Sequence, residues 1–596
     1  MAGKPVVRIG GASGFWGDSS VGAPQLVAHG NVDYLVFDYL AELTMSILAA
    51  ARAKNPELGY ATDFVGVTLR AVLRDVVAQG IRVVSNAGGV NPRACAQAIE
   101  ALAGELGVAV KVAVVEGDDV LPLVPRLREE SVTELQSGAP LPQKLLTANA
   151  YLGALPIRAA LDAGAQIVVT GRCVDSAVTL GVLMHEFGWA EGDYDRLAQG
   201  SLAGHIIECG CQATGGLHTD WERVPDWPHI GYPVIECSAD GSFVVTKPPG
   251  TGGLVDTAVV AEQMLYEIGD PRRYLLPDVT CDFSGVRMEQ QGEHRVRVSG
   301  ARGLAPGPEY KVSATYMDGF RCNGQLTIVG IDAARKARRT GEAILARTRE
   351  LFAQHGLADY TRTRIEVLGS EEAYFGPHAR TQGVREAVLW LAVMHPDKRA
   401  LELFAREIAP AGTSWSPGTT GAGGRPSPGP AIKQFAFLLR KDRLQPVVRM
   451  DGEASEVRVP VGQPAVPAPA QSSAVAAALP QDATEEVPLV RLAWARSGDK
   501  GDTSNVGVIA RRPEWLPLLR AQLTPARVRD WLGHLVQGEV ARYDLPGIHA
   551  FNFVCTQALD GGGMASLRND PLGKGMAQVL LSMPVRVPAG TGEAVN

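Results

Sequence analysis

Short apolar segments alternate with longer amphipathic segments through about the first 180 residues, and this alternation restricts the fold more than any other feature. The predicted strands are Val6–Gly11, Tyr34–Tyr39, Ile81–Ser85, Val108–Glu116 and Gln166–Thr170. The predicted helices between them are Ala41–Lys54, Phe64–Gln79, Pro92–Leu106 and Leu152–Ala163. Strands that alternate with helices indicate βαβ units. We therefore predict an α/β fold with a mostly parallel sheet flanked by helices.

The pattern changes after about residue 230, and the rest of the chain is predicted to be α+β. Segments with strand character are Val279–Phe283, Glu293–Val298, Tyr310–Tyr316 and Gln325–Gly330, and a helix is predicted over Ala333–His355. Residues 454–488 are rich in Pro, Ala and Ser, which is typical of a linker. We expect a main region over 1–453, divisible into two subdomains near residue 230, and a small α+β domain over 489–596.

Composition excludes several classes of function. The 596 residues include 57 Lys and Arg against 64 Asp and Glu, so the net charge of −7 argues against a nucleic-acid partner. No apolar run approaches the roughly 20 residues of a membrane span. Eight cysteines without a secretory leader indicate a reducing compartment, so we expect a cytoplasmic protein. A homo-oligomer is expected because most such enzymes are symmetric assemblies.

Three glycine-rich loops follow predicted strands, at residues 10–18, 85–92 and 170–176. In a parallel sheet these loops share the carboxyl edge, where ligands usually bind. Their backbone N–H groups are candidate anion donors, although ordinary βα turns would explain the same glycines. The spacing differs from the dinucleotide fingerprint. The candidate substrate- or anion-binding residues are Gly11, Ser13, Gly14, Asn86, Gly88, Gly89, Asn91 and, from a fourth loop at 247–255, Gly252 and Gly253.

Four charged side chains are candidate catalytic residues. Arg172 has the geometry to bind a carboxylate, and Asp175 is either a base or the partner of that arginine. His205 and Glu208 share a helix face and are candidates for acid–base chemistry, with structural packing as the alternative. Cys209 and Cys211 lie nearby, but the spacing matches no zinc site, so we predict no metal and no resident cofactor.

Several strings resemble those of the acyclic terpene utilisation AtuA family: GGASGFWGD, SNAGGVNP, TGRCVDSA, HIIECGCQATGG and KPPGTGGLVDTAVVAEQ. The resemblance covers about residues 5–450, and residues 489–588, with SGDKGDTSNVG, resemble the small AtuA-type C-terminal domain. It implies an enzyme that acts on branched acyl-CoA or related carboxylate intermediates, with CoA as part of the substrate. Hydratase or lyase chemistry is the leading hypothesis. The alternative is a non-catalytic subunit or scaffold of a carboxylase or acyl-CoA enzyme complex.

Overall fold

The computed structural model describes residues 5–380, 383–464 and 482–589. The strands before residue 250 are β1 Val6–Gly11, β2 Tyr34–Phe37, β3 Arg82–Ser85, β4 Val112–Glu116, β5 Thr147–Ala150, β6 Ile167–Thr170, β7 Val234–Ser238 and β8 Phe243–Thr246. The helices of this part are α1 Gly22–His29, α2 Glu42–Lys54, α3 Arg70–Gln79, α4 Pro92–Leu106, α5 Val124–Glu129, α6 Leu155–Asp162, α7 Ala177–Phe187, α8 Tyr194–Ile207 and α9 Thr257–Leu265.

The middle of the chain is rich in strands. These are β9 Tyr274–Leu275, β10 Thr280–Asp282, β11 Arg287–Gly292, β12 Arg295–Ser299, β13 Arg302–Leu304, β14 Glu309–Val329, β15 Arg362–Leu368, β16 Glu386–His395, β17 Thr419–Ala422, β18 Gly429–Arg440, β19 Val447–Met450 and β20 Glu453–Glu456. Its helices are α10 Ala333–Gln354, α11 Glu372–Phe375, α12 Lys398–Glu407 and α13 Ala411–Ser414.

The last part of the chain contains β21 Ala483–Pro488, β22 Ala493–Lys500, β23 Thr503–Ala510, β24 Val540–Leu545, β25 Ala550–Cys555 and β26 Pro584–Pro588, with helices α14 Leu516–Gln522, α15 Pro525–Trp531 and α16 Met576–Leu581. Strands β20 and β21 occupy the two ends of the predicted 454–488 linker. Residues 465–481 lie outside the described residues, and the linker stays a prediction there.

The largest sheet has the strand order β11-β12-β8-β7-β1-β2-β3-β6-β4-β19-β20. Its five central strands, β1 to β4 and β6, pair in parallel, as the alternation predicts. The strands on both sides of this core pair antiparallel. The expected mostly parallel sheet is therefore corrected to a mixed sheet, because hairpins from later in the chain are added to both edges of the parallel core.

Helices cover both faces of the parallel core. Alternate residues of a strand point to opposite faces, so Tyr34 and Val36 of β2 pack in one apolar cluster with α6, α7 and α8. Leu35 and Phe37 pack in the other cluster, with α1, α3 and α4. Every residue of β2 is consequently buried, as in a sheet with two covered faces.

Strand β14 is 21 residues long and joins two parts of the fold. Its first half pairs with β5 and β18, and its second half pairs with β16 and β17. The sequence predicts two separate strands here because polar residues and glycines interrupt the apolar pattern. The structure instead has one strand with a register shift between Met317 and Phe320, where Gly319 has a φ of +79°.

The C-terminal domain is built on a four-stranded antiparallel sheet of order β22-β23-β25-β24. Its helices α14, α15 and α16 contribute to an apolar cluster of the domain's own. Strand β21 pairs with β26 and so joins the start of the domain to its end. No helix in the described parts of the chain is long and apolar enough to cross a membrane.

Candidate functional site

Polar side chains gather at the carboxyl ends of the parallel strands. The loop after β3 contributes Asn86, whose side-chain amide donates to Asp38, the residue that follows β2, at 2.5 Å. The loop after β6 contributes Arg172, whose backbone N–H donates to Asp118 at 2.9 Å. The backbone N–H of Asp38 also donates to the carbonyl of Ser13 at 3.3 Å, so the loop after β1 joins the same edge.

Arg172 forms an ion pair with Asp175. The guanidinium donates to an Asp175 oxygen at 3.2 Å and to the carbonyl of Leu40, and it lies 4.3 Å from the centre of the Tyr151 ring. The Arg172 side chain is 5% exposed, whereas that of Asp175 is 26% exposed. The arginine is thus occupied within the protein, while the carboxylate of Asp175 is accessible.

Two more charged groups surround Tyr151. Its hydroxyl donates to Glu42 at 2.5 Å, and the ammonium of Lys311 on β14 lies 5.2 Å from its ring centre. Burial would raise the pKa of Glu42, but Lys311 and Arg172 together lower it to about 2. Glu42 is therefore ionised at neutral pH.

His205 and Glu208 form a buried pair that shares a proton. Nδ1 of His205 lies 3.0 Å from Glu208, and Nε2 lies 3.0 Å from the carbonyl of Met264. Because that carbonyl can only accept, Nε2 carries a proton, and a second proton must lie between Nδ1 and the carboxyl group. Burial acts to lower the pKa of the His205 imidazole. The negative charge of Glu208 and its hydrogen bond to the ring have the larger effect, so the pKa is raised. Burial also raises the pKa of Glu208.

Asp38 is a buried carboxyl group close to other acids. Burial, followed by the negative charge of Asp175, raises the pKa of Asp38 well above its ordinary value, and Glu208 adds to the effect. Asp38 is therefore predisposed to hold a proton.

The C-terminal domain contributes Lys500, which pairs with Glu267 just beyond α9. The Lys500 ammonium lies 3.2 Å from Glu267, and 47% of its side chain is exposed. Burial acts to lower the pKa of Lys500, but Glu267 chiefly, with Tyr274, Asp175 and Glu208, raises it well above its ordinary value. Lys500 is therefore a cation over the whole neutral range. Glu267 also pairs with Lys574 at 3.5 Å.

Close packing fixes the C-terminal domain in this position. A Cβ atom on Gly498 would lie 2.8 Å from the backbone nitrogen of Glu267, so β22 approaches the end of α9 more closely than other residues would allow. The side chain of Asn505 donates to the carbonyl of Leu265 at 2.7 Å, and that of Asn552 donates to the carbonyl of Gly269 at 2.7 Å. These bonds satisfy carbonyls at and just beyond the C-terminus of α9.

Close packing in the structure explains why glycine occupies some of the positions predicted to bind an anion. A Cβ atom on Gly11 would lie 2.7 Å from the carbonyl of Ile207, and one on Gly14 would lie 2.7 Å from the carbonyl carbon of Cys209. The N–H groups of Gly11, Gly14 and Gly89 already donate to Pro233, Asp18 and Asn86. Binding of an anion by these amides therefore has no geometric support and stays a prediction.

The other predicted binding residues are distributed over two places. Gly88 lies against the carbonyl of Thr170, at the carboxyl edge of the sheet. Asn91 donates to the carbonyls of Pro56 and Leu58, both at 2.8 Å. Gly252 and Gly253 instead approach the carbonyls of Asp226 and Thr214, respectively, and they share no described contact with Arg172 or Asp175.

Sequence reasoning missed Asp38, Glu42, Tyr151, Lys311 and Lys500 as members of the site. The sequence could have identified Asp38, because it directly follows a buried strand, as Asn86 does. Lys311 carried none, since it lies inside a strand and more than a hundred residues from Arg172 and Asp175. Among the described residues, no group of three or more His, Cys, Asp or Glu is arranged to hold a metal ion.

Two family models match separate parts of the chain. The model of the acyclic terpene utilisation family protein AtuA matches residues 7–450, and that of the AtuA ferredoxin-like domain matches residues 487–586. No curated protein and no solved structure matches the chain. The first match covers well over half of the sequence, and its description connects the family with the use of acyclic terpenes. The chain therefore belongs to the acyclic terpene utilisation AtuA family, with an AtuA ferredoxin-like domain at its C-terminal end.

Proposed function

We propose that the protein is an enzyme that moves protons next to the carbonyl group of a branched acyl-CoA or a related carboxylate, as a hydro-lyase or carbon–carbon lyase. The observation that carries the proposal is the accessible carboxylate of Asp175, held 3.2 Å from a buried arginine beside a protonated acid pair. This arrangement supplies a base and an acid among the polar side chains at the carboxyl edge of the sheet.

In the hydration direction, Asp175 is the proposed base. It accepts a proton from a water molecule whose oxygen bonds to the β-carbon of an enoyl group. The electron pair of the double bond then takes a proton at the α-carbon from Glu208, and His205 shares the proton that Glu208 supplies. Water loss is the reverse of these steps. Arg172 is a positioning residue, because its guanidinium contacts Asp175 and is itself buried.

Turnover of Asp175→Asn tests this proposal. We expect the variant to lose roughly 100-fold or more of the wild-type rate with 3-methylbut-2-enoyl-CoA or its carboxylated derivative, because an amide cannot act as the base. The measurement is product formation, with hydrogen–deuterium exchange at the α-carbon followed by NMR in D2O. Asp451→Asn is the matched control, since Asp451 lies in an exposed turn.

Two results would contradict the proposal. Wild-type rates in the Asp175→Asn variant would remove Asp175 from the chemistry. Neither turnover nor exchange by the wild-type protein on any tested acyl-CoA, together with co-purification of an acyl-CoA enzyme, would favour the alternative of a non-catalytic subunit.

A further inference from the structure

We propose that a cavity walled by α6, α7 and α8 binds a small organic ammonium ion with an apolar body. The described residues that line this cavity include none of Asp175, His205 and Glu208, so the site is separate from the proposed catalytic residues. The inference therefore does not depend on the proposed function. It adds a binding site and a chemical class of ligand, an aliphatic amine in its protonated form.

The cavity is large enough for a small organic molecule. Its volume is about 290 Å³, and its walls include Leu155 of α6, Met184 of α7 and Leu197 of α8, all of which are buried. An apolar cavity of about 150 Å³ holds one benzene molecule, so this cavity accommodates roughly twelve non-hydrogen atoms.

Two loop segments complete the wall and are fixed against each other. Pro306 and Pro460 line the cavity, and a proline ring restricts the backbone angle φ. The backbone N–H of Gln463 donates to the carbonyl of Pro306 at 2.8 Å, and a Cβ atom on Gly462 would lie 2.5 Å from the same carbonyl oxygen. A wall that is already in place costs little conformational entropy when a ligand binds.

The charged residues of the lining are acidic. Asp278 is 8% exposed and Glu191 is exposed, and the described residues that line the cavity include no Lys or Arg. Glu191 also has no ion pair with any described residue. An ammonium group is therefore attracted to this lining, whereas a carboxylate or a phosphate is repelled.

Asp278 is a buried carboxyl group whose negative charge is only partly balanced within the protein. Burial raises its pKa, and the hydrogen bond from the backbone N–H of Ala154, at 2.7 Å, together with the charge of Lys441 offsets this effect only in part. The ammonium of Lys441 donates to the carbonyl of Pro277 at 2.6 Å, and Lys441 is not among the described lining residues. An ammonium group brought by a ligand would stabilise the ionised carboxylate.

The apolar walls determine the rest of the ligand. The buried side chains of Leu155, Met184 and Leu197 can contact an alkyl chain, but they offer no oxygen ligands to a hydrated metal ion. An alkylammonium ion matches both parts of the lining, because its chain contacts the apolar wall and its head group contacts the carboxyl groups.

Isothermal titration calorimetry with three probes of equal chain length tests the proposal: octylammonium, 1-octanol and octanoate. Octylammonium should bind one site per chain, about tenfold or more tighter than 1-octanol, because it alone forms a charge-assisted hydrogen bond to a carboxylate. Octanoate should bind more weakly still. Shortening the chain from octylammonium to hexylammonium should weaken binding by about fourfold for each CH2 group removed.

Substitutions of the two acids test the charge argument. Glu191→Gln and Asp278→Asn should each weaken octylammonium binding by about tenfold, and the asparagine keeps an oxygen that can accept the N–H of Ala154. Asp195→Asn is the matched control. It removes a negative charge four residues from Glu191, its oxygen can still accept the N–H of Gly303, and Asp195 is not among the described lining residues. An equal loss of affinity in Glu191→Gln and Asp195→Asn would contradict a direct contact.

Ala305→Trp tests the location of the site, because Ala305 lines the cavity and the larger side chain would fill it without a change in charge. This variant should bind no octylammonium, while Asp175→Asn should bind it as the wild type does. Thermal unfolding verifies that each variant is folded, and the Glu191→Gln result decides if Ala305→Trp is not. Failure of the wild-type protein to bind octylammonium, equal affinity for the three probes, or retained binding by folded Ala305→Trp would overturn the proposal.

Discussion

Burial of a single charge is costly, and Lys441 is the clearest case in this protein. The residue is 2% exposed, its ammonium donates to the carbonyl of Pro277 at 2.6 Å, and burial lowers its pKa to about 8, against the opposing charge of Asp278. At neutral pH the folded protein therefore contains a buried cation with few partners, in contrast to the exposed Lys500, which pairs with Glu267.

The pH dependence of stability follows from that lowered pKa. Between pH 8 and about 10.5 the unfolded chain holds the Lys441 proton more strongly than the folded chain, so the stability contributed by this group rises with pH and is lost as the pH falls through 8. Wild type should gain about 3 kcal/mol of unfolding free energy over this interval relative to Lys441→Met. Urea denaturation at both pH values measures the difference, with the half-exposed Lys398→Met as control. Parallel pH profiles for wild type and Lys441→Met would contradict the assignment.

At the residue scale, prediction from sequence depended on whether a side chain follows a strand. Asn86 and Arg172 were identifiable because a parallel sheet brings strand ends together, and the His205–Glu208 pair was identifiable from helical spacing. Lys311 and Lys500 were not, because their proximity to Asp175 depends on tertiary packing between segments that are distant in sequence.

At the scale of elements, the loop after β1 owes its shape to its contact with the end of α8. Gly14 lies so close to Cys209 that a Cβ atom would be 2.7 Å from the backbone carbonyl carbon and 3.0 Å from the Cα atom. Backbone atoms cannot move aside as flexible side chains can, so the loop and the helix end would have to separate.

Gly14→Ala should therefore destabilise the protein by about 1–3 kcal/mol, the usual cost of overpacking. Gly104→Ala is a contrasting control, since Gly104 lies in α4 and a Cβ atom added there would have nothing within 4 Å. That change should stabilise the protein by about 0.5–1 kcal/mol, because alanine loses less backbone entropy on folding. Urea denaturation measures both effects, and an equal response of the two variants would contradict the packing argument.

The regular elements of the first half were largely predictable. Helix α4 has the predicted bounds Pro92–Leu106, with proline at its first position and Gly107 in the left-handed conformation after its end. The predicted helix Phe64–Gln79 begins with a π-helical segment, Phe64–Leu69, before α3. The antiparallel edges of the large sheet were not predictable, because local periodicity does not reveal which distant strands pair.

At the scale of the whole molecule, the C-terminal domain and the main region share both apolar and charged contacts. Ile509, Leu545 and Ile548 of the domain belong to the largest apolar cluster of the main region. Asp220 of the main region accepts hydrogen bonds from Arg511 at 2.7 and 2.5 Å and from the indole of Trp494 at 2.7 Å. The domain is thus docked by specific bonds as well as by apolar burial.

Asp220→Ala should weaken this docking by about 1–3 kcal/mol, since it leaves the partly buried Arg511 and Trp494 without their acceptor. Differential scanning calorimetry should show unfolding of the C-terminal domain shifted to lower temperature. Asp240→Ala is the control, because the hydrogen bonds of Asp240 to described residues lie within its own exposed turn. Superimposable thermograms for wild type and Asp220→Ala would show that these bonds contribute nothing to docking.

The strand order also has a consequence for synthesis of the chain on the ribosome. Strand β4 lies at one edge of the parallel core until β19 pairs with it, and about 330 residues separate Glu116 from Val447. Chain synthesis proceeds at roughly 5–20 residues per second, so the edge of β4 stays unpaired for about 15–65 s in each nascent chain. Unpaired strand edges are templates for aggregation. The yield of this protein in a cell therefore depends on how its nascent chain is protected during translation, separately from the stability of the finished fold.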